Sequence, residues 1–180
     1  EKPARPLVAI LGGAKVSDKL KVVDHLLDRC DALLVGGGMA YTFLAARGTK
    51  VGKSLVQQDQ LESVRAALAK AAAKKVDILL PVDHVCAEAF VQDAKAIAVD
   101  DANVPDGLMA LDIGPKTRVL YRERVLAAKT VVWNGPMGVF EWEAFRAGTA
   151  AVGKAVAECS GYTVIGGGDS VAAIELLGLA

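Results

Sequence analysis

Five times along this chain an apolar run with strand character halts at glycine and a helix-like segment takes over: LVAILGGAK, ALLVGGGMA, LMALDIGPK, VVWNGPMG and TVIGGGDS. Eleven of the eighteen glycines sit at these turns, so glycine here marks strand ends. Strands that alternate with helices favour a parallel sheet, because parallel neighbours need a crossover that a helix supplies. Strand ends that share a direction share an edge, and the five turns are expected to gather along one rim. Open α/β sheets take their ligands at that rim. Glycine lets backbone N–H groups approach a ligand closely, and a helix that follows turns its positive end toward an anion. The pattern predicts a phosphate-bearing ligand such as a nucleotide.

The 180 residues are enough for one domain with a real core, and 53% hydrophobic residues with few aromatics suit a sheet covered on both faces. The expected fold is α/β: a three-layer, doubly wound, mostly parallel sheet flanked by helices, Rossmann-like in plan. Strand character marks residues 7–11, 32–35, 77–80, 96–99, 108–113, 130–133 and 162–165. Val16, Leu20, Val23, Leu27 and Cys30 recur at helical spacing, as do Leu61, Val64 and Leu68. Residues 81–105 show no long helical pattern, which favours a hairpin or an irregular crossover. No linker or repeat divides the chain.

Balanced charge, 21 basic against 21 acidic residues, gives no reason to expect a nucleic-acid partner. No apolar run reaches the roughly 20 residues that span a bilayer, so no membrane is expected. The opening EKPARP does not read as a signal peptide. Cys30, Cys86 and Cys159 are odd in number and lack CxxC spacing, which points to buried, reduced thiols and a cytoplasmic setting. His25 and His84 have no ligand-spaced neighbours, so no zinc site is expected.

GTKVGKS, Gly48 to Ser54, imitates a phosphate-binding Walker loop but has three residues between its glycines instead of four, and it follows a helix-like segment. A GxGxxG fingerprint is absent too. GGAKVSDK, Gly12 to Lys19, is the better phosphate candidate. Lys15 and Lys19 are four apart and are expected on one face at a helix start, where ammonium groups oppose the macrodipole unless an anion bridges them. Two ordinary surface lysines are the alternative. In GGGDS, Gly166 to Ser170, Asp169 and Ser170 suit a helix N-terminus, and beside three glycines Asp169 also suits Mg²⁺ shared with phosphate oxygens. In WNGPMGVFEWEAF, Trp133 to Phe145, Glu141 either accepts ribose hydroxyls or lies in solvent beside a packed aromatic turn, and the aromatics read as core more than as base-stacking groups. Gly36 and its neighbours either meet a flat base or allow close helix–strand packing.

GGAKVSDK, GGGMAYTF, LDIGPKT, WNGPMGVFEWEAF and GGGDSVAA, in this order and spacing, resemble the C-terminal nucleotide-binding domain of phosphoglycerate kinases over nearly the whole chain. The resemblance implies reversible, glycolytic phosphoryl transfer between 1,3-bisphosphoglycerate and MgADP, in a monomer that closes about a hinge. It implies Mg²⁺ and ATP or ADP at this half, and 3-phosphoglycerate or 1,3-bisphosphoglycerate held by an N-terminal domain that lies outside this sequence. Residues 1–6 would end the interdomain segment and residues 7–180 would form the nucleotide-binding domain, short of a last family segment.

By the same resemblance, Lys15 lies nearer the transferred group, and Gly168 joins it in catalysis. Lys19 and Gly13 hold the nucleotide phosphates, Gly167, Gly168 and Ser170 form the phosphate turn, and Asp169 takes the metal. Glu141 meets the ribose, Asn134 and Gly135 line the turn near the nucleotide, and Gly36, Gly37 and Leu111 border the adenine. Ala110 stands where some members carry glycine. The chain alone is expected to bind nucleotide with little or no turnover. A non-catalytic nucleotide module and a dinucleotide-dependent oxidoreductase are the competing classes; the missing GxGxxG and the lysine pair weigh against the latter.

Overall fold

The computed structural model describes residues 2–179. Its first half runs β1 (Leu7–Leu11), α1 (Leu20–Leu27), β2 (Ala32–Val35), α2 (Met39–Ala46), α3 (Leu61–Ala73) and β3 (Asp77–Leu79). A small unit follows, β4 (His84–Ala87), β5 (Ile97–Val99) and β6 (Met109–Ile113). The chain closes with α4 (Pro115–Ala127), β7 (Thr130–Asn134), α5 (Ala147–Glu158), β8 (Tyr162–Gly166) and α6 (Gly168–Leu177).

The main sheet has the order β3-β2-β1-β7-β8, and every pairing in it is parallel. From β1 the chain moves outward to β2 and β3, then returns to β7 on the other side of β1. The direction of winding therefore switches between β1 and β7, where doubly wound sheets open a crevice at their carboxyl ends.

Period-two alternation explains why strands buried at every position still separate two cores. Leu7, Ala9, Leu11, Leu33 and Val35 pack with residues of α1, α2 and α3. Val8, Ile10, Leu34, Val131 and Trp133 pack with α4 and α5. The three-layer, doubly wound expectation is thus met. A buried hydroxyl ties the layers together: Tyr121 of α4 reaches the carbonyls of Val35 at 2.6 Å and Leu79 at 3.0 Å.

One expectation is corrected. Only four of the five glycine-ended runs share the parallel rim; LMALDIGPK supplies β6, which belongs to a separate antiparallel sheet of order β5-β4-β6. An apolar run that stops at glycine looks alike in both settings, and its distant partner strand decides the direction. The hairpin expected within residues 81–105 is present as β4 and β5.

A second correction concerns the lysines. Lys15 is extended (φ −118°, ψ 121°), a single 3-10 turn covers Val16–Asp18, and α1 starts only at Leu20. Lys15 and Lys19 therefore do not share the face of one helix, although Val16, Val23, Leu27 and Cys30 are buried as their spacing foretold. Among the described residues no helix is long and apolar enough to cross a membrane.

Gly12 shows how tightly the rim is built. A Cβ there would lie 2.0 Å from the carbonyl oxygen of Pro136, a backbone atom that cannot rotate away. Gly12→Ala should lower stability by about 2–3 kcal/mol, the usual range of forced overpacking. Gly107→Ala, whose Cβ meets nothing within 4 Å, should stay within about 0.5 kcal/mol of the parent. Urea midpoints of the two variants check this; equal midpoints would show that the Gly12 contact relaxes freely.

Candidate functional site

The carboxyl ends of β1, β2 and β7 meet through backbone. Gly12 N–H donates to the Asn134 carbonyl (2.9 Å), Gly37 N–H to Met137 (3.0 Å) and Met39 N–H to Gly13 (2.9 Å). Beyond this junction the segment after β7 crosses to the small sheet, where Val139 N–H donates to the Leu111 carbonyl (2.9 Å). Between the two sheets lies a cavity of about 550 Å³, a volume usual for a small-ligand site.

Its walls come from four places. Gly13 and Ala14 follow β1, Gly37 and Gly38 follow β2, Pro136 to Glu141 follow β7, and Met109 to Asp112 belong to β6. Asp169, in the first turn of α6, closes one end, while Leu55 and Phe90 line another part together with Lys53.

A polar rim adjoins Gly13. Lys19 Nζ donates to Asn134 Oδ1 at 2.8 Å, and its stem lies 3.9 Å from where a Gly13 Cβ would be. Asn134 Oδ1 also lies 2.7 Å from the Cβ position of Gly167, so Lys19, Asn134 and Gly167 form one continuous edge. Gly167 has φ +86° and gives α6 no side-chain cap. The first-turn N–H groups of α6 therefore have no capping side chain and can receive an anion. Lys15 and Asp169 are exposed nearby in chain terms, Lys15 two residues after Gly13 and Asp169 two after Gly167.

The sequence and the fold both match known proteins over almost the whole chain. A phosphoglycerate kinase family model covers residues 1–180. The chain belongs to the phosphoglycerate kinase family. It is 59% identical over 177 residues to the phosphoglycerate kinase of Anaeromyxobacter dehalogenans (strain 2CP-1 / ATCC BAA-258), spanning 98% of this chain and 45% of that protein. Identity to the phosphoglycerate kinase of Clostridium perfringens (strain SM101 / Type A) is 57% over 178 residues, 99% of this chain and 45% of the relative. The structure of phosphoglycerate kinase from Coxiella burnetii superposes with a TM-score of 0.96 at 45% identity, over 99% of this chain and 46% of that one. That from Pyrococcus horikoshii OT3 gives 0.83 at 34% identity, over 96% and 44%. The chain thus spans a little under half the length of the phosphoglycerate kinases it matches.

Of the residues that the phosphoglycerate kinase motifs nominate, Gly13, Gly37, Leu111, Glu141 and Asp169 line the cavity. Lys19, Asn134 and Gly167 form the adjoining edge. Three others hold the scaffold. Gly36 faces Met137, whose Sδ is 2.3 Å from its Cβ position, so the close-packing alternative describes it. Gly135, at φ +103°, donates its N–H to Ser170 Oγ at 2.6 Å, and Ser170 is fully buried. Gly168 is exposed at the start of α6. Lys15 does not line the cavity, and among the described residues its side chain has no hydrogen-bond or ion-pair partner. Ala110 lines the cavity while its N–H donates to Ser54 Oγ (3.0 Å).

Sequence reasoning missed Tyr41, Lys53, Phe90 and Asp112. Lys53 belongs to the discarded GTKVGKS, brought to the cavity by its N–H to the Leu108 carbonyl (2.7 Å). Tyr41 donates to His84 Nδ1 (3.0 Å), because His84 Nε2 must keep its proton to reach the Ala102 carbonyl (2.8 Å). Burial holds that imidazole below its ordinary range, and hence neutral. Burial likewise pushes the Cys30 and Cys86 thiols up to about 11 and about 12.

Asp112 is the buried carboxyl of the site, 1% exposed, and it accepts N–H from Ile113 and from Gly148 of α5, both at 2.9 Å. Burial pushes it up to about 7 against the pull of those donors and of Arg118. A native carboxyl held above its unfolded value keeps a proton that the unfolded chain releases. Its stabilising contribution is complete at about pH 3 and falls as pH rises toward 7. Measured from pH 4 to 8, the stability of the parent relative to Asp112→Asn should decline with pH and level off above about 7. A flat difference would place the Asp112 charge inside the fold at all these pH values.

Proposed function

We propose that residues 7–180 are the nucleotide-binding domain of a phosphoglycerate kinase, with residues 1–6 ending the segment that leads in from its partner domain. In the whole protein it would serve reversible phosphoryl transfer between 1,3-bisphosphoglycerate and ADP in glycolysis, as a cytoplasmic monomer. The observation that carries this reading is that polar, acidic and apolar groups from separate motifs surround one cavity and its edge. Its polar edge at Lys19, Asn134 and the uncapped start of α6 suits phosphates, Glu141 suits ribose hydroxyls, and the stretch from Met109 to Leu111 with Leu55 suits a base.

Phosphoryl transfer asks a protein mainly for positioning and electrostatic stabilisation. In the direction that makes ATP, an ADP β-phosphate oxygen attacks the acyl phosphate, the bond from phosphorus to the carboxyl oxygen breaks, and 3-phosphoglycerate leaves as a carboxylate. Lys19 would hold the nucleotide phosphates. Lys15, on its short extended segment, has the freedom to reach the group in flight, and the Gly168 N–H would meet the same charge. The acyl phosphate would be presented by the partner domain, and closure of the two would exclude water.

Mg²⁺ would neutralise charge on the nucleotide phosphates. Among the described residues no three His, Cys, Asp or Glu side chains cluster to hold a metal, so no all-protein cage exists. Magnesium keeps several waters and takes one or two carboxylates with substrate phosphates, and a single exposed Asp169 on the cavity wall fits that habit.

The test is titration of MgADP into the parent, Lys19→Ala and Asp169→Ala. Losing a charge-assisted contact should weaken binding about tenfold or more in Lys19→Ala. Asp169→Ala should lose the gain in affinity that Mg²⁺ confers. Unchanged affinity in both would put the nucleotide elsewhere. The 180 residues alone should bind MgADP yet turn over ATP and 3-phosphoglycerate at a negligible rate, and measurable turnover would contradict the assignment of the acceptor site to the partner domain.

A further inference from the structure

Glu141 lies on an irregular segment between β7 and α5, where no strand or helix fixes its position. Its main chain is gripped by a cation five residues further on, just past the motif. Arg146 Nε donates to the Phe140 carbonyl at 3.0 Å and its Nη2 to the Glu141 carbonyl at 3.2 Å. Among the described residues nothing bonds the Glu141 carboxylate itself. The guanidinium therefore grips the two successive peptides that flank the Glu141 Cα and leaves the carboxylate uncommitted on the cavity wall.

Arg146 is anchored in its turn. Its carbonyl accepts the Ala150 N–H at 2.9 Å, which makes it the first link of α5. The same helix start holds the segment at Thr149 Oγ1, which accepts the Met137 N–H at 3.0 Å, and is itself tied to β6 by the Gly148 N–H to Asp112. The segment is thus clamped before Glu141 by Thr149 and at Glu141 by Arg146. A planar fork with donors in fixed directions suits two adjacent carbonyls, and a lysine ammonium on a flexible stem would not reproduce it.

We propose that Arg146 is a positioning residue for Glu141 and through it sets the preference of this site for nucleotides that carry ribose hydroxyls. The inference rests on the reading of Glu141 as the ribose acid. It is tested in the full-length protein by calorimetric titration of MgADP and of the magnesium complex of 2′,3′-dideoxy-ADP. The variants are Glu141→Ala, Arg146→Ala, Arg146→Lys and the Glu141→Ala/Arg146→Ala double, each with its melting temperature.

Arg146→Ala should cut the preference for ADP over the dideoxy nucleotide about fivefold while dideoxy affinity holds within about twofold. Arg146→Lys should fall between Arg146→Ala and the parent. In the Glu141→Ala background, removing Arg146 should leave the preference unchanged, the non-additivity expected of two groups acting through one contact. If Glu141→Ala keeps the full preference, the ribose reading fails and takes this inference with it. If Glu141→Ala loses the preference and Arg146→Ala retains it, the inference alone is wrong. Equal weakening toward both nucleotides with a lower melting temperature would also overturn it, since that is what a purely structural arginine would do.

Discussion

Three strand ends touch backbone to backbone, and the rest of the molecule is arranged around that contact. A Cβ at Gly12 would sit 2.0 Å from Pro136 O, one at Gly135 2.2 Å from Gly12 O, and one at Gly37 2.6 Å from Gly13 N. No other residue type allows β1, β2 and β7 to end this close together, and Gly37 and Gly135 also adopt the positive φ that glycine tolerates. The interlock sets where each following segment departs. Lys19 reaches Asn134 across it, and the chain after Pro136 is aimed away from the parallel sheet toward β6.

That aim gives the cavity its chemical gradient. A site confined to the rim of a parallel sheet would be lined by turns and helix starts, which are polar throughout. Here one wall is β6 of a second sheet, which contributes Met109, Ala110 and Leu111, and another is the glycine junction. Arg146 braces the segment between them through two main-chain carbonyls, and the buried Asp112 carboxyl ties β6 to the start of α5 beyond it. Both act on backbone, which is why neither forms part of a recognisable motif.

Much of the fold was legible because its signals are local. Strand ends at Leu11 and Val35, the helix of residues 61–73 and the two-faced burial of β1 follow from apolar period and glycine placement, properties of neighbouring residues. The small sheet was half legible: residues 96–99 and 108–113 read as strands, yet nothing local says that they pair antiparallel through β4. The lysine spacing misled, because a 3-10 turn and an extended residue can occupy a stretch that a helical wheel treats as one turn.

The sequence by itself nominated the residues proposed for a nucleotide: the turn glycines, Lys19, Glu141 and Asp169 belong to short motifs that are recognisable in order along the chain. It also determined the α/β class, since period and turn chemistry act within a few residues. Only the tertiary structure decided that these motifs border one cavity, that Gly36 and the Ser170 hydroxyl serve packing, and that Lys53, Tyr41, Phe90 and Arg146 stand beside them. Those outcomes depend on contacts between residues far apart in the chain, such as Lys19 with Asn134 and Asp112 with Gly148, and such contacts leave no periodic trace in the sequence.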